Sequence, residues 1–293
     1  MIEGIFVEGL IYGIMALGVF LTFRVLNFPD LTVDGSFPMG AVIMAMALTS
    51  GMPVAIGLLL AFAGGILAGC VTATIHNKLR VPHLLAGILT MTMLYSVNIR
   101  ILRNRANLPL LRVDTIMTQV SDLTRGLLPE SYAYLLFFLV VVVLIKVALD
   151  MFFVTDMGLT MGAMGGNEQM VVVQGVNPEV LKLIGVGLSN GLVAVSGAFA
   201  AQYQGFADVN LGQGIVITGL ASVMIGEFLV RSTRIGWLTF RVIVGAVVFK
   251  AIMYLGRFYG YHVHMTPNDL KLIAGILIIA SLAVANYKAR KTA

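Results

Sequence analysis

The chain has 293 residues, of which 59% are apolar and only 11% are charged, and its mean hydropathy is +0.96. This composition lies far from that of soluble proteins and indicates an integral membrane protein. The net charge of +5 comes from loop and tail residues, which in a bilayer protein contact anionic lipid headgroups, so nucleic acid is excluded as a partner. The single cysteine, Cys70, excludes an intrachain disulfide.

Apolar runs that approach the length of a membrane-crossing helix, about 20 residues, recur along the whole chain. In chain order the predicted spans are residues 4–23, 35–49, 54–75, 84–102, 132–150, 182–202, 214–230, 236–256 and 270–286. The longest polar stretches, about 103–131 and 151–181, are too short to form a separate soluble domain. We therefore expect an all-α polytopic membrane protein with about nine transmembrane helices in a single domain, residues 1–293.

The two halves of the chain align with each other when the sequence is shifted by 178 residues. The stretch 26–34 then falls on 204–212, and Gly9 and Gly13 fall on Gly187 and Gly191, pairs that we interpret as close-packing faces of helices. Duplicated halves are typical of transport proteins, whose path runs between the repeats. The pattern predicts two repeats, about 1–102 and 182–286, and a connector, 103–181, with one unpaired helix at 132–150. The first repeat and the connector together contain an odd number of helices, so the second repeat enters the membrane from the opposite side. We therefore expect inverted repeats.

Positive charges near the span ends predict the orientation, because they favour the cytoplasmic side of a membrane. Arg231 and Arg234 lie between the seventh and eighth spans, and the tail at 286–291 carries three positive charges. Counting back through nine spans places the N-terminus outside and the C-terminus inside. The same assignment makes the loop at 103–131 external, and the four arginines of that loop count against it.

Two motifs of membrane and ATP-dependent enzymes are absent from the sequence. It has no His-Glu-x-x-His and no Gly-x-x-x-x-Gly-Lys, so neither a zinc-protease helix nor a phosphate-binding loop is present. The histidines have no metal-site spacing except the weak pair His262 and His264, which we interpret as solvated loop residues. We therefore predict no catalytic residue, no metal site and no bound cofactor, which disfavours a membrane enzyme. Energy for transport must come from an ion gradient or from a separate ATPase.

A polar element recurs at matched positions in the two repeats, after the first span of each. It comprises Phe28, Asp30 and Asp34 in the first repeat and Phe206, Asp208 and Asn210 in the second. The surrounding residues are rich in turn formers, and such backbone must line protein or a watery cavity because it cannot face lipid. We predict that these six residues line the substrate path. Two alternatives stay open: the aspartates cap the following helices, or Asp30, Asp34 and Asp208 are proton or sodium sites of an ion-coupled secondary transporter.

The connector contains Thr-Asp-Met-Gly-Leu-Thr-Met-Gly-Ala-Met-Gly-Gly-Asn-Glu at 155–168, followed by Gly-Val-Asn at 175–177. This stretch resembles the cytoplasmic coupling segment of permease subunits of bacterial ABC importers of the branched-chain amino acid and ribose type. Within that group, Phe-Arg-Val-Leu-Asn-Phe-Pro-Asp-Leu-Thr-Val-Asp-Gly-Ser-Phe at 23–37 is similar to a subfamily linked to tryptophan or tyrosine uptake. The branched-chain permeases have Asn-Phe-Ala-His-Gly where this chain has Pro29 and Asp30, so an aromatic amino acid is the favoured substrate.

The resemblance implies a multi-pass protein of the bacterial cytoplasmic (inner) membrane that works as a homodimer of permeases. An extracytoplasmic substrate-binding protein would deliver the solute, and two ABC ATPase subunits, which use ATP and Mg, would dock on residues 155–177. The residues expected to form this ATPase-coupling segment are Met157, Leu159, Met161, Met164, Gly165, Gly166, Asn167 and Glu168. The methionines and the leucine would seat as apolar knobs in a groove of the ATPase, and Gly165, Gly166 and Asn167 would form a turn. The alternative is a helix that lies on the membrane surface.

Overall fold

The computed structural model describes residues 2–260 except Arg112, 126–128, Arg231 and Thr233, together with Leu272, Gly275, Ile276 and Ile279. The helices are α1 (Ile2–Phe20), α2 (Val33–Thr49), α3 (Val54–Leu79), α4 (His83–Ile101), α5 (Ile116–Leu123), α6 (Glu130–Val154), α7 (Asp156–Gly166), α8 (Glu168–Val173), α9 (Pro178–Gln204), α10 (Ile215–Leu229) and α11 (Ile235–Gly260). A π-helical turn, Leu21–Val25, extends α1. Two short strands, β1 (Asn107–Pro109) and β2 (Phe206–Asp208), form an antiparallel ribbon, and the 3-10 turn Val209–Gly212 follows β2.

Seven helical segments of the described chain are long and apolar enough to cross a bilayer. They are Glu3–Val25, Val54–Leu79, His83–Ile101, Glu130–Val154, Pro178–Gln204, Val209–Leu229 and Ile235–Tyr259. The prediction of a mostly helical membrane protein is therefore confirmed. The predicted span 35–49 corresponds to α2, whose 17 residues rise only about 26 Å, less than the roughly 30 Å hydrocarbon core. The ninth predicted span, 270–286, lies outside the described residues except for the four isolated positions given above.

Helices α1 and α9 lie at the centre of the bundle, and most of their residues are buried. Helix α9 packs against α3 and α2, while α1 packs against α11 and α10. A shift of 178 residues exchanges α1 with α9, α2 with α10 and α3 with α11. The same shift therefore turns one set of helix contacts into the other.

Glycines allow the closest of these contacts, as expected from the repeated glycine pairs. A Cβ added at Gly9 would lie 2.8 Å from the Cα of Val247 on α11, and one added at Gly187 would lie 3.2 Å from the Sγ of Cys70 on α3. Distances of this size leave little or no room for a side chain, so each glycine lets two helix backbones approach. The interpretation as packing faces therefore holds for Gly9, Gly187 and Gly191, whereas a Cβ at Gly13 would make only an ordinary contact, 3.7 Å from Ile243.

The bundle has two distinct ends. At the end that we call the α7 end, an apolar cluster joins the last residues of α1 and α3, the first turns of α9, and α7 and α8; its members include Leu26, Ala73, Met164 and Leu181. At the other end, which we call the ribbon end, β1 pairs with β2, and the Gln202 side chain of α9 accepts the amide N–H of Ile116 of α5 at 2.9 Å. When α2 and α10 are counted with the membrane-length helices, successive helices run alternately between these two ends, whereas the short α5, α7 and α8 do not cross the bundle.

Candidate functional site

Two short helices, α2 and α10, begin beside each other inside the bundle. Asp34, in the first turn of α2, accepts the backbone N–H of Gly214 at 3.0 Å with one carboxylate oxygen and that of Val216 at 2.8 Å with the other. Gly214 has φ +81°, which positions its N–H at the very start of α10. A carboxylate at this place satisfies two amide groups that the helix leaves unpaired, and it also complements the helix dipole. Asp34 therefore caps the helix of the other repeat.

The backbones of the two halves of the chain approach each other closely beside Asp34. A Cβ added to Gly212 would collide with the carbonyl oxygen of Asp34. The 178-residue shift places Asp34 on Gly212, so two equivalent positions are in direct contact. This contact marks the place where the broken segments of the two halves meet.

A cavity of about 330 Å³ opens beside the start of α2 and the 3-10 turn, within the volume range of small-molecule sites. Its polar lining residues are Asp34, Thr92, Tyr95, Asn98, Asn210 and Gln213, and Met91 and Val209 add apolar surface. Asn98 is fully buried, and its Nδ2 donates to the carbonyl oxygen of Gly35 at 3.2 Å. Its Oδ1 has no hydrogen-bond partner within the part of the chain that the structure describes. Because an unsatisfied buried acceptor is costly, this oxygen is suited to a donor on a ligand.

Asp30 lies in a buried hydrogen-bond network and does not line this cavity. Its carboxylate accepts the amide N–H of Thr32 at 2.8 Å and the Nδ2 of Asn190, on α9, at 2.6 Å. Ser36 donates to the Oδ1 of the same asparagine at 2.7 Å. Burial raises the pKa of the Asp30 carboxyl, and the hydrogen bonds from Thr32 and Asn190 act in the opposite direction. The network joins the start of α2 to the centre of α9.

Asp208 makes the same local turn as Asp30 but in a more open place. It accepts the amide N–H of Asn210 at 2.7 Å, two residues ahead, and the Nδ2 of Asn107 at 3.2 Å. The side chain thus caps the 3-10 turn and joins β2 to β1. Both aspartates have the geometry expected for the capping alternative.

Phe28 and Phe206 lie at opposite ends of the bundle. Phe28 is buried at the α7 end, where its ring lies 5.2 Å from that of His76 and 5.3 Å from that of His83. Phe206 belongs to β2 and pairs with Pro109 at the ribbon end. Helix α4 begins at His83 and rises about 28 Å before the chain reaches β1. The structure therefore brings only Asp34 and Asn210 of the six predicted path residues to one cavity.

The predicted coupling segment forms two short helices at the α7 end. The Thr155 hydroxyl caps α7 by accepting the Gly158 N–H at 3.3 Å, and the Asn167 side chain caps α8 by accepting the Met170 N–H at 3.2 Å. The expected turn at 165–167 is wrong in its extent, because α7 continues through Gly166 and only Asn167 leaves the helix. A side chain at Gly165 would collide with the Val25 carbonyl, so this position requires a glycine.

The apolar residues of this segment divide into an outward and an inward set. Met157 and Leu159 are 41% and 55% exposed, as expected for knobs that enter a partner's groove. Met161 and Met164 are buried against the chain itself, so the knob interpretation is wrong for them in this conformation.

Sequence reasoning missed the exposed residues of α8, Met170, Val172 and Val173. Asn167 is a favourable N-cap residue, and an apolar run follows it. This pattern predicts a second short helix and could have identified these residues. Glu168, at the start of α8, is held by Lys182 at 2.8 Å.

One stretch has the spacing of a catalytic motif without its geometry. Residues 187–191 read Gly-Leu-Ser-Asn-Gly, but they lie within α9, and Ser189 is buried and donates to the Gly18 carbonyl at 2.6 Å. A nucleophile elbow requires an exposed serine on a strand-to-helix turn. This serine is therefore a helix-packing residue. Among the described residues, no group of three or more His, Cys, Asp or Glu side chains could hold a metal ion.

Comparisons with known proteins agree with the coupling segment and the bundle. Residues 1–282 match the family described as the permease component of branched-chain amino acid transport systems. The chain is 38% identical to a tyrosine transport system permease protein of Clostridioides difficile (strain R20291), over 97% of this chain and 91% of that one. It is 31% identical to an uncharacterized protein of Rickettsia prowazekii (strain Madrid E), over 92% of each chain.

Two solved structures share the fold at low sequence identity. PsaBC from Streptococcus pneumoniae in complex with Fab has a TM-score of 0.54 at 16% identity, over 94% of this chain and 89% of that one. A metal-chelate type ABC transporter in an inward-facing conformation has a TM-score of 0.51 at 17% identity, over 98% and 86%. The resemblance found in residues 155–177 is thus confirmed over nearly the whole chain. The protein belongs to the family of permease components of branched-chain amino acid transport systems, and as an ABC transporter permease subunit it is a membrane transport protein and not itself an enzyme.

Proposed function

We propose that the chain is the permease subunit of an ATP-driven importer in the bacterial cytoplasmic membrane, and that its solute is an amino acid, with tyrosine or another aromatic one favoured. The observation that carries this proposal is the polar cavity where α2 and α10 begin. Short helices at matched positions of two repeats mark the binding region of many transporters. The substrate class is supported by the 38% identical relative, which is named for tyrosine transport.

The cavity offers complementary groups for such a solute. Asp34 and the free Oδ1 of Asn98 are acceptors for an ammonium group, and Asn210 and Gln213 can both donate and accept. Met91 and Tyr95 supply apolar surface of the kind that an aromatic ring contacts. In this proposal Phe28, Asp30, Phe206 and Asp208 shape the two ends of the path and do not contact the solute at this cavity.

The whole chain, residues 1–293, would form one permease domain of nine spans in two inverted repeats, about 1–102 and 182–286. The symmetry of the helix contacts under the 178-residue shift supports this arrangement. So does the antiparallel arrangement of α1, which ends at the α7 end, and α9, which ends at the ribbon end. The α7 end would be cytoplasmic and the N-terminus external.

The two ends would receive different partners. Two ATPase subunits, which bind the ATP and Mg, would dock on the exposed apolar residues of α7 and α8, and the binding protein would dock at the ribbon end. A second copy of the chain would cover the cavity across α4, whose exposed face carries large apolar residues such as Leu85, Leu89 and Met93. The ion-coupled alternative is not adopted, because Asp30, Asp34 and Asp208 each accept backbone N–H groups as caps.

Uptake into vesicles tests the proposal. The permease would be purified together with its proposed ATPase and binding protein and reconstituted into proteoliposomes that contain ATP. We expect ATP-dependent accumulation of labelled tyrosine that exceeds that of leucine or ribose and that persists when an ionophore collapses ion gradients. Uptake that follows an imposed proton or sodium gradient without the ATPase would overturn the proposal.

A further inference from the structure

A second cavity, of about 320 Å³, lies at the α7 end and outside the proposed path. Its walls come from the end of α1, the end of α6, the start of α7 and the first turns of α11. Two arginines, Arg24 and Arg241, line it together with apolar residues that include Phe20, Phe153 and Leu159. The cavity is therefore an apolar space with strong positive charge on one side.

The charges in this cavity do not balance. Arg24 donates from Nε to the Oε1 of Glu227 at 2.8 Å, and Arg241 donates from Nη2 to the same oxygen, also at 2.8 Å. Among the described residues that line or adjoin the cavity, one carboxylate thus serves two guanidinium groups, which leaves one positive charge in excess. Two like charges in a partly apolar site repel each other, so an anion that entered between them would be stabilised.

Arg241 also has an unused hydrogen-bond donor. Arg241 is only 8% exposed, and its Nε is buried with no hydrogen-bond partner in the described part of the chain. Leaving a buried donor on a charged group unpaired is costly. The side chain lines the cavity, so a ligand oxygen is the natural acceptor for this group.

We propose that this cavity binds the phosphoryl group of an anionic phospholipid. Arginine matches the geometry of phosphate oxygens and is the preferred residue for such contacts. Basic pockets between membrane helices are a recurring form of lipid headgroup site. The apolar walls formed by Phe20, Phe153 and Leu238 provide contact for the hydrocarbon part of the lipid, which a free anion would lack. The binding itself does not depend on the proposed transport function.

A tryptophan beside the cavity allows a direct binding measurement. Trp237 is the single tryptophan of the sequence, and its neighbours Ile235 and Leu238 both line the cavity. Lipids with brominated chains quench tryptophan fluorescence on contact. The protein would be placed in bilayers of phosphatidylcholine with increasing brominated phosphatidylglycerol, and in the reverse mixture. We expect a preference of about fivefold for phosphatidylglycerol near Trp237, the value for one additional positive charge.

Two variants test the site by different means, each with a matched control. Arg24→Gln removes the excess charge from a side chain that is 62% exposed, and Lys78→Gln removes an exposed charge elsewhere at the same end. Gly162→Leu fills the cavity from α7, while Gly166→Leu adds the same side chain on α7 outside the cavity lining; a Cβ at either glycine meets nothing within 4 Å. We expect the ratio of phosphatidylglycerol to phosphatidylcholine near Trp237 to fall to about one in Arg24→Gln and in Gly162→Leu. The preference should persist in the two control variants.

Competition with inorganic phosphate distinguishes a lipid headgroup from a free phosphate ion as the occupant of the cavity. Millimolar phosphate should leave the lipid preference of the wild-type protein unchanged if the occupant is a lipid. Loss of the preference in phosphate, in wild type, would overturn the lipid assignment in favour of the free anion. Equal quenching by the two lipids in wild type, or a preference that survives both Arg24→Gln and Gly162→Leu, would overturn the site itself.

Discussion

Asp34 joins the two repeats, and its replacement should weaken the fold by an amount that the structure allows one to work out. In Asp34→Ala, the amide groups of Gly214 and Val216 lose their acceptor. Each unpaired buried donor costs about 1–3 kcal/mol, and because the adjoining cavity can admit water we take the lower value for both. The expected loss in the free energy of unfolding is therefore about 2 kcal/mol. Asp34→Asn keeps one acceptor oxygen and should lose about 1 kcal/mol.

Unfolding by a denaturing detergent in mixed micelles measures these differences. Asp122→Ala is the control, because Asp122 is largely exposed and, among the described residues, forms an ion pair with the exposed Arg125 alone, so its loss should stay within about 0.5 kcal/mol. Uptake supplies a second readout: if Asp34 also contacts the solute, Asp34→Asn should lower transport by more than the fraction of protein that it unfolds. An Asp34→Ala protein as stable as the wild type would refute the capping role, and normal uptake by a folded Asp34→Asn protein would refute contact with the solute.

Three further predictions concern the two ends and the buried network. Gly166→Trp should fold normally, since a Cβ there meets open space, but it should reduce substrate-stimulated ATPase activity in vesicles; unchanged stimulation would exclude α7 as the docking site. Asp30→Ala should lower the free energy of unfolding by about 2 kcal/mol, and Asp208→Ala by less than about 1 kcal/mol, because only the first is fully buried; equal losses in denaturant titrations would contradict this. Single cysteines at Met52 and Val173, in a background without the native cysteine, should react oppositely with an impermeant thiol reagent on spheroplasts, Met52 alone being labelled; labelling of both would refute the proposed orientation.

Hydropathy was sufficient to predict a mostly helical membrane protein and the places of its described long helices. Apolar runs locate membrane helices because every backbone polar group inside a bilayer must be paired within the helix. The eight predicted spans that fall on described residues each coincide with a helix, and the glycine pairs lie where helices approach closely. The extent of α7 was not predictable in this way, because Gly165 and Gly166 favour a turn on propensity alone. Packing of Gly165 against the Val25 carbonyl overrides that preference.

The candidate site was harder to predict, because equivalence in sequence does not mean proximity in space. In the inverted arrangement that we propose, equivalent residues lie at opposite ends of the bundle unless they are near the axis that relates the two halves. Asp30 and Asp208 match in sequence and in local hydrogen bonding, yet they lie in a buried network and in the ribbon respectively. Asp34 and Gly212 also match in position, differ in residue type, and are in contact. If the two halves are inverted repeats, as we propose, the path should be sought where a residue meets its own equivalent, and this criterion selects Asp34.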